Sequence, residues 1–113
     1  MTQHAGERNL DEERFRRYCA KRNLKKETIQ AHIELIKEFE AFLEERRGNK
    51  DLIDASSSDA KSFVADLMAN GKNTIDNFTA LIRYSLFSGK KETVSVLYGY
   101  LEGFGVPENS RRN

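Results

Sequence analysis

The clearest structural signal in this chain is a helical pattern over residues 25–47, which contain neither glycine nor proline. Apolar side chains recur there at steps of three and four, as on the buried face of a helix. The stripe consists of Ile29, Ile33, Ile36, Phe39 or Glu40, and Leu43, widened by Ala31, Leu35 and Phe42. Asn23 is the expected N-cap, and Gly48 the expected stop, because glycine tolerates the left-handed backbone that ends helices.

Four further helices are expected, and Gly48, Gly71 and Gly89 stand where three of the helices should stop. The first covers about residues 10–22, with Asn9 as N-cap and acidic residues in its first turn, where the helix dipole favours anions. The third is capped by Ser57 or Ser58 and ends at Asn70-Gly71, and the fourth follows residues 72–73 and ends at Gly89. Their apolar stripes are Ala60, Phe63, Val64, Leu67 and Met68 in the third helix, and Ile75, Phe78, Leu81, Ile82 and Leu86 in the fourth. In the linker between the second and third helices, Leu52 and Ile53 are predicted to point inwards.

Residues 93–100 fit two patterns, because Val94, Val96, Tyr98 and Tyr100 alternate as in a strand, whereas Val94, Leu97, Tyr98 and Leu101 have helical spacing. No other segment offers a pairing partner for a strand, so a fifth helix over about 91–102 is predicted. Gly103, Gly105 and Pro107 would end it. The expected fold is all-α, a compact bundle of four to five short helices. Residues 1–8 are predicted to form a disordered tail, 9–106 a single helical domain, and 107–113 a C-terminal tail or the point at which the chain was cut.

The composition narrows the class of protein. A length of 113 residues fits one domain. Cys19 is the single cysteine, which excludes an intrachain disulfide and multi-cysteine zinc sites. No apolar run approaches the ~20 residues that cross a bilayer, and the N-terminus lacks the apolar core of a secretory signal. A cytoplasmic protein with no membrane partner is therefore expected.

The net charge of +1 hides two opposed segments. Residues 8–26 contain eight bases and three acids, and residues 27–54 contain four bases and eight acids. Such a layout fits either a surface for a polyanion or two amphipathic helices with ordinary solvated faces.

No local motif supports enzyme chemistry. The chain has no phosphate-binding glycine loop and no H-E-x-x-H zinc motif. His32 is interpreted as a partly buried or surface histidine rather than a metal ligand, and Cys19 as a packed residue rather than a nucleophile. We expect no cofactor, no metal and no small-molecule substrate.

Residues 24–89 resemble the N-terminal core-binding, or SAM-like, domain of tyrosine recombinases and phage integrases. Residues 24–32 are similar to its opening, with Thr28 at a helix start and His32 where a tyrosine is common. Residues 35–43 carry its Phe–Leu pattern, and residues 51–55 and 59–67 its short loop and following helix. Residues 73–87 are similar to its last helix, with an Arg-aromatic ending at Arg83 and Tyr84.

The resemblance implies a SAM-like helical domain that forms one half of a clamp around duplex DNA, in a protein acting in DNA integration or recombination. The catalytic half of such integrases lies C-terminal, and nothing here matches it, so this chain is expected to be no enzyme, although a longer parent would be a site-specific recombinase. The candidate DNA contacts are Lys25, Lys26, Thr28, Lys72, Asn73, Thr74, Asn77 and Arg83. The alternative is a helical protein-interaction or oligomerisation module that does not bind DNA, with the 91–102 helix as the surface for self-association.

Overall fold

The fold is known from a computed structural model, which describes residues 11–102. In that range the chain forms five α-helices: α1 (Glu12–Ala20), α2 (Lys26–Arg46), α3 (Ser57–Ala69), α4 (Ile75–Phe87) and α5 (Lys91–Glu102). A short 3₁₀ helix, Leu52–Asp54, lies between α2 and α3, and residues 11–102 contain no strand. The all-α prediction and the helical interpretation of α5 are confirmed. The predicted tails, the Asn9 cap and the stops at Gly103, Gly105 and Pro107 lie outside the described residues.

The helices share one hydrophobic core. The long helix α2 packs against α1, α3 and α4, while α5 packs against α3 and α4. Phe15 stands edge-on to Tyr84, with ring centroids 5.4 Å apart, which joins α1 to α4. Phe39 and Phe63 stack at 4.8 Å, which joins α2 to α3. Aromatic pairs at these distances add stability beyond that of apolar burial. They hold α1 against α4 and α3 against α2.

The helix ends follow local backbone chemistry, but two predicted caps are wrong or displaced. Asp11 caps α1 by accepting from the Arg14 N–H. Asn23 does not cap α2, because it has a φ of 65° and forms the reversal between α1 and α2, a conformation that asparagine tolerates. Ser56, rather than Ser57 or Ser58, caps α3 in a reciprocal capping box with Asp59. Gly48, Gly71 and Gly89 all have positive φ, as predicted.

Several apolar residues that were predicted to be buried are exposed. Ile53 is 69% exposed, because a single 3₁₀ turn presents one side to the core and Leu52 occupies it. Met68, Ile75 and Leu86 are also exposed. Each lies in the first or last turn of its helix, where the helix leaves the core. Ala31 is exposed as well and borders the pocket described below. Within residues 11–102, none of the helices is both long and apolar enough to cross a membrane.

Candidate nucleic-acid interface

The N-terminal part of α2 faces α4 across a pocket of about 260 Å³, hereafter the α2–α4 pocket. Three of the eight predicted DNA contacts, Thr28, Asn77 and Arg83, line it. The remaining lining residues are Glu27, Ala31, His32, Asp76, Thr79 and Ala80. The pocket therefore combines one guanidinium, two carboxylates and several neutral hydrogen-bonding groups.

Arg83 is held in this pocket by His32. The Arg83 Nη1 lies 3.0 Å from the Nε2 of His32, which is only 4% exposed. A guanidinium can only donate, so His32 accepts at Nε2 and carries its proton on Nδ1. Burial first, and then the neighbouring Arg83 charge, lower the pKa of His32, against a smaller opposing effect of Asp76. His32 is therefore a neutral acceptor at pH 7, and the sequence offered no sign of this pairing.

Thr74 and Asn77 have structural roles at the start of α4. The Thr74 hydroxyl accepts from the Asn77 N–H at 3.1 Å and caps the helix. The Asn77 side-chain amide donates to the Lys72 carbonyl at 2.8 Å. Asn73 is half-buried in the preceding turn. These contacts hold the start of α4, which forms one wall of the pocket.

Lys72 differs from the other predicted lysines because a carboxylate already binds it. Its Nζ forms an ion pair of 3.1 Å with Glu38 of α2, and both side chains are about half exposed. An exposed pair of this kind contributes little to stability, but the carboxylate lowers the net charge that Lys72 presents to a phosphate. Lys72 is therefore a weaker candidate contact than the sequence indicated.

Basic residues concentrate without acidic partners where α1 turns into α2. This basic corner consists of Lys21, Arg22, Lys25 and Lys26, all exposed. Among the residues that the structure describes, no carboxylate lies within ion-pair distance of any of the four. Arg22 is instead held against the end of α1, since its guanidinium lies 3.7 Å from the centre of the Tyr18 ring and donates to the Tyr18 carbonyl.

The bases of α1 itself are, by contrast, paired with its acids. Ion pairs join Arg14 to Asp11, Arg16 to Glu12 and Arg17 to Glu13 at 3.3, 2.8 and 3.4 Å. These pairs follow the three- and four-residue spacing of helix neighbours. No corner base has an acid at either spacing. That sequence signal identifies Lys21 and Arg22, which were missing from the predicted contacts.

The basic corner and the α2–α4 pocket belong to one surface. Lys26 borders a groove between α1 and α2 that shares Glu27 and Ala31 with the pocket. A ligand on the corner thus reaches the pocket without crossing the molecule.

Comparisons with protein-family models, curated proteins and solved structures found no match to this chain. Residues 11–102 also contain no group of three or more His, Cys, Asp and Glu side chains placed to hold a metal ion.

Proposed function

We propose that this chain is a duplex-DNA-binding helical module, and that the basic corner supplies most of its affinity. The observation that carries the proposal is the separation of charge around α1. Three of its basic residues are ion-paired with acids of its N-cap and first turn, whereas the four basic residues of the corner have no carboxylate within ion-pair distance in the described chain. Unneutralised Lys and Arg side chains gain affinity for a polyanion by displacing its counterions.

The number of charges gives the expected strength. Four corner bases and Arg83 would contact about five phosphates, and the logarithm of the affinity would then fall with the logarithm of salt with a slope of about −4 to −5. Such binding lies in the range of about 10⁻⁴–10⁻⁶ M that is usual for contacts without base readout. The module alone would therefore bind weakly and with little sequence preference.

The resemblance of residues 24–89 to the core-binding domain of tyrosine recombinases supports the same function. In that family the domain is the non-catalytic half of a clamp around duplex DNA. We extend the proposal accordingly: the chain binds DNA without catalysis, and a longer parent would carry the recombinase chemistry.

The test is fluorescence anisotropy of a labelled duplex over a range of salt concentrations, with two double variants that remove equal charge. K25Q/K26Q removes two corner bases. K61Q/K91Q removes two exposed lysines of α3 and α5 that also lack an acidic partner within the described residues. We expect the corner variant to reduce the salt slope by about 2 and the control to change it far less. No binding of the unmodified protein at ~100 µM and ~50 mM salt, or equal losses in both variants, would contradict the proposal.

A second candidate function is self-association, favoured by exposed apolar side chains on α4 and α5. Leu86 and Tyr98 are each 49% exposed, and Leu86 and half-buried Val94 border a cavity of about 200 Å³. Apolar surface of this kind often marks a contact with another protein. Sedimentation equilibrium of the unmodified chain and of L86E/Y98E tests it. A dimer that the unmodified chain forms and the variant does not would favour this function. A strict monomer of the unmodified chain at ~1 mM would exclude it.

A further inference from the structure

We infer that the α2–α4 pocket seats one phosphate group, with Arg83 as its ligand and His32 as the residue that positions Arg83. The inference rests on the proposed function for its source, the phosphodiester backbone of a duplex. Free inorganic phosphate shares this chemistry, and the two sources are separated by the experiment below.

The first argument concerns the hydrogen bonds of Arg83. A guanidinium has five N–H donors in a rigid plane, and one of its nitrogens is directed at His32. Glu27 and Asp76 line the same pocket, yet neither they nor any other carboxylate of the described residues lies within ion-pair distance of Arg83. Arg83 is thus anchored on its buried side, while donors remain for an oxyanion on the pocket side. Arginine favours phosphate because two parallel N–H donors match two phosphate oxygens.

The second argument is the shape of the surface. Base edges lie at the floor of a major groove about 8.5 Å deep, so a protein reads them with a protruding helix or ribbon. The half-buried Arg83 lies inside a concavity, and the feature of a duplex that enters a concavity is the phosphate backbone. The pocket volume of about 260 Å³ is several times the ~30 Å³ that a water molecule occupies in the liquid, which leaves room for a phosphate group.

The third argument is the character of His32. A histidine that contacts phosphate directly would gain from being charged and exposed. This one is buried, and burial together with the Arg83 charge lowers its pKa, so it remains a neutral acceptor. Its contribution is to fix the direction of the guanidinium, which reduces the side-chain entropy that Arg83 loses when a ligand binds.

The two carboxylates limit what the pocket accepts. Glu27 and Asp76 stand on its walls, from α2 and α4 respectively. They oppose a highly charged ligand and leave Arg83 as the one cation among the lining residues. A single phosphodiester, with one negative charge, fits this balance better than a cluster of phosphates.

The test uses the full chain and three variants: R83Q, H32F and H32Q. H32F removes the acceptor, whereas the side-chain carbonyl of H32Q can still accept from Arg83. For duplex binding, we expect R83Q and H32F to reduce the salt slope by about 1 and to weaken all duplex sequences equally, because a phosphate contact carries no sequence information. H32Q should restore most of the binding. Titration with inorganic phosphate, followed by ¹H–¹⁵N NMR, should shift pocket resonances in the unmodified protein and in H32Q, but not in R83Q or H32F.

The outcomes separate this inference from the proposed function. Normal duplex binding by R83Q would overturn the phosphate seat and leave the corner as the binding surface. A loss in R83Q that depends on duplex sequence would overturn it in favour of base readout. Equal binding by H32F and the unmodified chain would overturn the role of His32. If the unmodified protein binds no duplex, the proposed function fails, and the inorganic phosphate titration alone decides whether the seat exists. Circular dichroism checks that each variant is folded, and R83Q carries the test if H32F is not.

Discussion

Asp59 at the start of α3 is the residue whose removal should cost most stability for its size. Its carboxylate is fully buried and accepts four hydrogen bonds. Arg47 Nε and Lys50 Nζ donate at 2.8 and 2.7 Å, and the backbone N–H and hydroxyl of Ser56 donate at 2.8 and 3.1 Å. These bonds join the end of α2 and the loop after it to the cap of α3. We predict that D59A severs this junction.

The magnitude follows from what the variant leaves behind. Breaking a buried ion pair by removing one partner costs about 3–5 kcal/mol, because a charge remains in a site with no counter-ion. The Arg47 and Lys50 side chains are each 34% exposed and can turn towards water, which places the cost at the lower end. D59A also removes the half of the capping box that the Asp59 side chain supplies, whereas Ser56 still caps the helix through the backbone N–H of residue 59. We therefore expect D59A to lower the free energy of unfolding by about 3 kcal/mol, out of the 5–15 kcal/mol usual for a domain.

The assay is urea unfolding followed by circular dichroism at pH 7, with two comparison variants. D59N keeps one acceptor and the shape, so its loss should be smaller. E45A removes an exposed carboxylate of α2 and should stay within about 0.5 kcal/mol of the unmodified protein. A loss below about 1 kcal/mol in D59A, with an unchanged denaturant slope, would refute the reasoning, because hydrophobic packing alone would then hold α2 to α3.

The pH dependence gives an independent check on Asp59. Burial alone would raise the pKa of Asp59, but the bonds from Lys50, Ser56 and Arg47 together hold it well below its usual range. The unfolded chain then binds the proton first, so the contribution of Asp59 is complete above the unfolded pKa of about 3.9 and is lost as the pH falls below it. The difference in stability between D59A and the unmodified protein should shrink as the pH is lowered from 5 towards ~2.

Three further predictions concern the core, the glycines and the thiol. F63A should cost about 3–5 kcal/mol in urea unfolding, because Phe63 is buried and contacts two other phenylalanine rings. G71A should lower the free energy of unfolding by about 1 kcal/mol, because residue 71 has a positive φ. G99A should raise it by about 0.5–1 kcal/mol, because Gly99 is exposed within α5 and no atom would crowd a new Cβ. The thermal unfolding midpoints of the two variants should therefore shift in opposite directions. Cys19 is buried and burial raises its pKa, so its reaction with a disulfide reagent should be slow in the folded protein and fast in ~6 M urea.

Features set by neighbouring residues were predictable from the sequence, and features set by packing were not. Helix periodicity and glycine stops placed all five helices, because both signals act within a few residues. The cap at Ser56 was missed because Ser56, Ser57 and Ser58 are alike in sequence, although Asp59 three residues after Ser56 is a capping-box spacing. The burial of Asp59 needs Arg47 and Lys50 to be brought back by the turn that follows α2.

The candidate site shows the same division. The starts of α2 and α4 were predicted as a binding surface, and Thr28, Asn77 and Arg83 do lie together. The bond between Arg83 and His32 spans 51 residues of sequence and exists only because α2 packs on α4. Ion pairing within the chain decides which basic side chains stay available to a ligand. It makes Lys72 a weaker candidate, and it adds Lys21 and Arg22, which are exposed and have no acidic partner among the described residues.

The acidic run of α2 does not cancel the basic corner, because the two lie at different places along the helix. With a rise of about 1.5 Å per residue, Glu34 is about 12 Å and Glu45 about 28 Å along the axis from Lys26. Salt screens exposed charges over about 8–10 Å at physiological ionic strength. Glu38, between them, is already paired with Lys72. The nearest carboxylate along α2 is therefore Glu27, which lines the pocket. In the proposed complex, a duplex backbone laid across the corner would therefore face four basic side chains, although the net charge of the whole chain is only +1.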